Sequence, residues 1–215
     1  MNDSMKKLVF LILISIAFLN LQAQPAGYKP VASLAVFKQQ FTAAAQKTTS
    51  IKSDFLQEKN LAMLEDKIVS KGKFWFKKNS MVRMEYNQPF QYLMILNQDA
   101  VYIKDGQKEN KMTTRGNKLF QQINKIMIDC IQGTALENKD FKTAVYENAQ
   151  GFMIEMIPTV KSLKEFFNTI HIVVNKKDLS VIKIDLIEQG GDNTVINFIN
   201  KEINATIPDA LFTVK

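Results

Sequence analysis

The chain is short of the residues that usually carry chemistry. Its 215 residues include one cysteine, Cys130, and one histidine, His171. A single cysteine excludes an intramolecular disulfide, so the fold must be held by packing alone. One histidine, no second cysteine and no clustered carboxylates leave nothing with the spacing of a zinc site. No serine stands in the strand-to-helix elbow that a hydrolase nucleophile occupies. His171 lies in "NTIHIVVN", where alternation places it opposite Ile170 and Ile172, as a surface strand residue. Cys130 lies in "IMIDCIQG" with no activating neighbour and reads as a buried, inert thiol. Asp185 and Glu188 stand among lysines and read as solvated surface. The Gly190-Gly191 pair lacks the later glycine and the following helix of a phosphate loop, so it reads as a hairpin turn.

Long apolar runs are missing too. The longest, Leu8 to Leu21, is roughly 14 residues where about 20 would span a bilayer, and it follows the charged Met5-Lys6-Lys7. That is the layout of a secretory signal peptide over residues 1–23, cut after Ala23, with one domain from Gln24 to Lys215. No cysteine follows the cut, so no lipid anchor is expected there. The net charge is +7, yet the lysines are scattered and form neither a long basic run nor a nucleic-acid-binding motif. A nucleic-acid partner is therefore not expected; anionic membranes and acidic proteins remain compatible with the charge.

What the chain does contain is strand signal, repeated. After "QPAGYKP", apolar residues at Leu34, Phe37, Phe41, Ala44 and Ala45 keep helical spacing behind Pro30. "SIKSDFLQ" then alternates as a strand, and further strands are predicted at 68–77, 81–87, 91–97, 100–104, 152–157, 168–175, 180–187 and 194–200. Asp105-Gly106, Asn175 to Asp178 and "QGGDN" at 189–193 punctuate them as hairpins. A second helix is expected over 116–133, with Leu119, Ile123, Ile126, Met127 and Cys130 on one stripe, Asn117 as cap and Gly133 as stop. The stretch 158–167 fits a helical turn or a loop. The expected class is α+β: one large antiparallel sheet, curved or partly closed, with two helices on its apolar face. If the helices fill that face the aromatics are plain core; if they only lid it, the same residues line a cavity.

Between residues 71 and 89, "KGKFWFKKNSMVRMEYNQP" resembles the strand-turn-strand signature of the LolA family of periplasmic outer-membrane lipoprotein carriers. Gly72, Phe74, Trp75, Phe76 and Lys77 match its first half, and Arg83, Tyr86 and Pro89 its second, without gaps. "SIKSDFLQ" is similar to the family's upstream "F-x-Q" strand and "DALFTVK" to its Phe-containing end. Three departures stand out. The family's arginine before proline, tied to fastening the lid, is Lys78 before Asn79; its tryptophan after arginine is Met84; its "D-G" turn is Gln98-Asp99-Ala100.

The resemblance implies an incomplete antiparallel β-barrel with helices lidding an apolar cavity. It also implies a periplasmic, non-enzymatic carrier without a cofactor, acting as a monomer. Acylated lipoproteins would be taken from an inner-membrane lipoprotein-releasing transporter and yielded to an outer-membrane receptor. The expected acyl-chain lining is Phe74, Phe76, Val82, Met84, Tyr86, Tyr92 and Met94, the lid Leu34, Phe37, Phe41, Ile123 and Met127, and Lys78 the latch. The second side of the Phe74 strand would face lid or solvent. Each lining residue taken singly is equally compatible with ordinary core packing. Two other functions fit the same fold: carriage of free lipid or glycolipid, and sensing of lipoproteins during envelope stress.

Overall fold

The computed structural model describes residues 25–63, 66–78, 80–97, 100–106, 108–113 and 118–213, with backbone alone at 110–113 and 118–124. The expected leader at 1–23, Asn79, Gln98-Asp99 and the expected cap residue Asn117 lie outside the described residues, as does the Leu119 side chain.

Twelve antiparallel strands form one sheet: β1 (Lys29–Pro30), β2 (Ser50–Asn60), β3 (Lys67–Lys77), β4 (Met81–Gln88), β5 (Tyr92–Asn97), β6 (Ala100–Asp105), β7 (Lys108–Thr113), β8 (Phe141–Glu147), β9 (Gly151–Pro158), β10 (Phe167–Asn175), β11 (Val181–Glu188) and β12 (Asn193–Ile203). Their spatial order is β1-β8-β9-β10-β11-β12-β2-β3-β4-β5-β6-β7. Two meanders, β2 to β7 and β8 to β12, are thus joined where β12 lies against β2. The edges β1 and β7 do not pair, so the sheet stays open as an incomplete barrel. Helices α1 (Leu34–Lys47), α2 (Lys118–Gln132) and the short α3 (Lys161–Lys164) complete the fold. The 158–167 stretch resolves as the helical turn α3. Strands β7 and β8 answer to no sequence expectation: "KENKMT" and "FKTAVYE" carry little apolar alternation, and their neighbours supply the pairing.

Local chemistry explains the helix ends. The Ser33 hydroxyl caps α1 by accepting from the Val36 amide at 3.4 Å. Beyond α2, Gly133 takes φ +73° and the Thr134 amide returns to the Asp129 carbonyl at 2.8 Å, a glycine-ended helix stop.

The sheet's two faces are covered differently. In the first meander, side chains register in three rows on the helix-covered face: Phe55, Gly72, Tyr86 and Tyr92; Ser53, Phe74, Met84, Met94 and Ile103; Ile51, Phe76, Val82, Leu96 and Val101. Trp75 points the other way. It faces neither lid nor solvent, as the sequence suggested, but the C-terminal segment, whose Ala205, Ile207, Leu211 and Phe212 pack with Trp75, Met81, Leu93, Ile95 and Tyr102. Polar bonds hold that segment down. The Arg83 guanidinium donates to the Leu211 carbonyl at 3.1 Å while stacked 5.7 Å from the Trp75 ring, and Lys77 Nζ donates to the Ile207 carbonyl at 3.0 Å and pairs with Asp209. Trp75 and Phe74/Phe76 therefore bury opposite faces of one strand.

Gly72 makes the first row possible. Phe55 lies across it from the neighbouring strand, edge-on to Tyr86 at 4.8 Å. A Cβ on residue 72 would sit 2.6 Å from Phe55 Cζ and against the Glu85 carbonyl. Gly72→Ala is expected to lower the urea midpoint by the equivalent of about 3 kcal/mol with an unchanged m-value, since overpacking rather than compactness is altered. An unchanged midpoint in urea titration would show that the ring can move aside.

Candidate functional site

The helices divide the covered face into two clusters. Phe37 and Phe41 of α1, stacked 5.5 Å apart, join Ile154, Met156, Ile170, Ile172 and Val174 from β9 and β10. Helix α2 serves both sides: Ile126 and Cys130 turn toward that cluster, whereas Met127, Ile128 and Ile131 turn toward Phe55, Phe74, Phe76, Val82 and Met84. The stripe expected on α2 is in fact a wedge between two half-cores. Cys130 is buried, and burial pushes its thiol far above the usual range, in line with an inert role. His171 lies on the face opposite the buried Ile170 and Ile172, as expected, but is half-buried there, with Nε2 3.5 Å from the Glu155 carboxylate on β9. Asp185 and Glu188 are also half-buried, each beside a lysine, Lys183 and Lys59.

An apolar cavity of about 50 Å³ lies where the half-cores meet. Phe41, Ala44 and Ala45 of α1 and Met127, Cys130 and Ile131 of α2 roof it. Ile51, Phe74, Val181, Ile184 and Phe198 floor it, and Thr48, Asp178, Leu179, Ser180 and Lys201 complete its wall. Ala44, Thr48, Asp178 and Leu179 also line a wider groove of about 610 Å³, which continues along Gln40, Ala43, Lys47 and Phe152 on the flank of α1.

Only some of the sequence-predicted residues meet there. Of the seven expected lining residues, Phe74 alone reaches the cavity; of the lid residues, Phe41 and Met127 do. Phe76, Val82 and Met84 are buried against their neighbours, and Met94 packs beside them. Tyr86 and Tyr92 meet edge-on at 5.5 Å, with the Tyr86 hydroxyl 2.9 Å from Gln57 Oε1. Burial, and next Tyr92, push the Tyr86 phenol up to about 12; burial, and next Asp105, raise that of Tyr92. Phe37 packs deeper, at 4.7 Å from Phe152. Leu34 does not join the lid's buried stripe: it opens α1, one turn before Phe37, and is half exposed. Ile123 belongs to α2, with its side chain outside the described residues. The cavity residues outside the expected set include Ile51 of β2 and further positions on α1 and α2, but most come from β11, β12 and the turn before β11, where alternation predicted strands without showing that β12 pairs with β2 under the lid.

Polar contacts fasten the α1 C-terminus. Lys78 Nζ donates to the Gln46 carbonyl at 2.8 Å, in the last turn, where a cation suits the exposed carbonyls. Asn204 was not foreseen. Its amide nitrogen donates to the Lys47 carbonyl at 3.2 Å and its oxygen accepts from the Thr49 amide at 2.7 Å. Lys38 pairs with Glu137 beyond α2 at 3.0 Å, both side chains about half exposed. Gly133, just past α2, lies close against α1: a Cβ there would stand 2.8 Å from Thr42 Cα and Ala45 Cβ, and Thr42 Oγ1 donates to the Gly133 carbonyl at 3.0 Å.

The family described as outer membrane lipoprotein carrier protein LolA matches residues 46–215. Similar solved structures include a LolA superfamily protein from Nitrosomonas europaea, at 9% identity over 86% of this chain and 99% of that one, TM-score 0.48. An uncharacterised conserved protein from Thermus thermophilus is 8% identical over 82% of this chain and 93% of that one, TM-score 0.51. A chain of the Pseudomonas aeruginosa MucA/MucB complex is 9% identical over 84% of this chain, TM-score 0.50; the match spans 60% of that chain's length. At these identities the likeness is one of fold. No curated protein sequence matches the chain. Among the described residues, no helix is long and apolar enough to cross a membrane.

Exposed fastenings of this kind contribute about 0–1 kcal/mol each. Replacing Lys78 and Asn204 together by alanine is expected to leave the global urea midpoint within about 1 kcal/mol while hydrogen exchange of the α1 amides speeds up about fivefold and that of β3 does not change. Unchanged α1 protection would show that these contacts do not hold the helix.

Proposed function

Because the chain belongs to the LolA family of outer membrane lipoprotein carrier proteins, we propose that it shields the acyl chains of lipoproteins between α1, α2 and the sheet. The observation that carries this reading is the apolar cavity at the seam, roofed by two helices and joined to an outer groove. An unshielded methylene costs about 0.8 kcal/mol, so a 16-carbon chain exposed to water costs on the order of 12 kcal/mol. A carrier must remove most of that cost and still let go. Cargo is taken from an inner-membrane lipoprotein-releasing transporter and handed to an outer-membrane receptor, the carrier itself being a periplasmic monomer that performs no chemistry on its cargo.

The cavity's size defines the mechanism. A water-sized group needs roughly 10–15 Å³ of such space, so about four would fit, a fraction of one acyl chain. Cargo therefore enters by displacing the lid. Helix α1 is the part suited to move: its C-terminus is tied by the Lys78 and Asn204 contacts and its N-terminal half by the Lys38 pair, all exposed. Opening exposes Phe41 and the floor of Ile184 and Phe198, and the acyl chain replaces the contacts they lose. Lys78 serves as the latch, with Asn204 as a second fastening. Phe74, Phe76, Val82, Met84 and Met94 become lining as the seam widens toward β4 and β5, with Tyr86 and Tyr92 at the far end of the same face.

The protein purified from the envelope of its host is expected to carry diacylated or triacylated proteins, identified by mass spectrometry. Ile184→Asp, which sets a charge on the floor, is expected to lose them while keeping its circular dichroism spectrum. Free lipids as the sole bound species would turn the reading to lipid carriage, and an empty protein would contradict it.

A further inference from the structure

Lys201 is in an unexpected place for a lysine. Strand β12 alternates Ile196 and Phe198 toward the helix-covered face and Ile199 toward solvent, which would direct residue 200 inward and residue 201 outward. The register against β2 breaks between Ile199 and Glu202, and Asn200 takes φ +52°, in the left-handed region that a non-glycine residue rarely occupies. Asn200 instead bonds outward, its amide nitrogen 2.9 Å from the Asp54 carboxylate. The extra residue turns Lys201 inward, onto the wall of the apolar cavity.

There the ammonium group is half-buried. It donates to the Val181 carbonyl at 3.0 Å and to the Ser180 hydroxyl, and Asp178 accepts from that hydroxyl at 2.5 Å and from the Ser180 amide at 3.0 Å. Two of its three donors are used by these contacts. Burial, only partly offset by Asp178, lowers the Lys201 pKa. At Asp178 desolvation acts upward, but the bonds from Ser180 and the Lys201 charge outweigh it and leave the carboxyl below its usual range. Asp178 also lines the outer groove, with Lys47, Lys176 and Lys177, so the cavity's polar end opens toward a basic rim.

We propose that Lys201 is the head-group station of the cavity: its ammonium binds the acceptor oxygens at the polar end of an acylated ligand whose chain lies against Phe41, Ile184 and Phe198. This rests on the acyl-carrier reading above and adds selectivity to it. A carrier lined only by hydrocarbon would hold any greasy chain; one with a fixed donor at its mouth favours chains that end in ester carbonyl, carboxylate or phosphate oxygens. The strained bulge at Asn200 is the cost of aiming that donor.

The test uses the purified protein and three probes: the dye 1,6-diphenylhexatriene, which has no polar end, 1-palmitoylglycerol and palmitoyl lysophosphatidate. In wild type all three bind, the lipids by displacing the dye. Lys201→Met is expected to bind the dye within about twofold of wild type and both lipids about tenfold more weakly. Lys201→Gln, which keeps a donor for Val181, is expected to show a smaller loss and stands in if Lys201→Met does not fold. Loss confined to the lysophosphatidate would support the station and identify its ligand as the phosphate of a lipid head rather than an ester. Lipid affinities that match wild type in a folded variant would overturn the proposal and leave acyl carriage intact. Failure of wild type to bind any probe would overturn both.

Discussion

A sheet of this width exposes two broad faces, and wherever either carries apolar side chains it must be covered. The chain meets this constraint asymmetrically. On the outer face of β3 to β6, the C-terminal segment is laid down by Phe212 and held by Arg83 and Lys77 in carbonyl bonds. On the other face, α1, α2 and the single turn of α3, which contributes Leu163, must cover a much wider sheet. Helix α2 resolves the mismatch by acting as a wedge, with Ile126 and Cys130 to one side and Met127, Ile128 and Ile131 to the other. A wedge leaves a seam, and the cavity between Phe41, Phe74, Ile184 and Phe198 is that seam.

This division assigns different tasks to residues of similar chemistry. Phe76, Val82 and Leu96 form one tightly registered row and stiffen the half-barrel. Phe41 packs as firmly but sits on an element tethered at its C-terminus by exposed polar contacts. Rigid sheet and weakly fastened helix together provide what reversible shielding needs: a shaped floor that persists and a roof that can part from it. The small volume of the closed seam follows from the same design, because an empty apolar chamber of acyl-chain size would forfeit the packing that stabilises the unloaded protein.

Much of the fold was legible because β2 to β5 alternate cleanly and the turns β6–β7, β10–β11 and β11–β12 carry glycine, asparagine or aspartate. The same alternation separated Phe74 and Phe76 from Trp75. It could not say what Trp75 meets, because that partner lies more than a hundred residues later, in the segment around Phe212. Strand β7 was illegible since "KENKMT" has Met112 as its one apolar residue and is a strand by virtue of its pairing with β6. The cavity at the seam was hidden for a related reason. Local pattern identified an apolar face on β3 to β5, whereas the cavity depends on where β11 and β12 return, a long-range pairing with no local signal. Lys201 was hidden more deeply still: a period of two assigns it to solvent, and only the bulge at Asn200 reverses that.

The central claim is that α1 parts from the sheet to admit an acyl chain, and a distance across the groove tests it most directly. Ala43 on α1 and Lys177 on the β10–β11 turn both line the groove and are both exposed, so each can carry a spin label. Cys130, buried and with its thiol pKa raised, need not be replaced. Electron–electron distance measurements should give one short population in the free protein and a longer one, by several ångströms, when a diacylated lipopeptide is bound. A short distance that persists unchanged with lipopeptide bound would contradict the account, because cargo would then be held without the lid having moved.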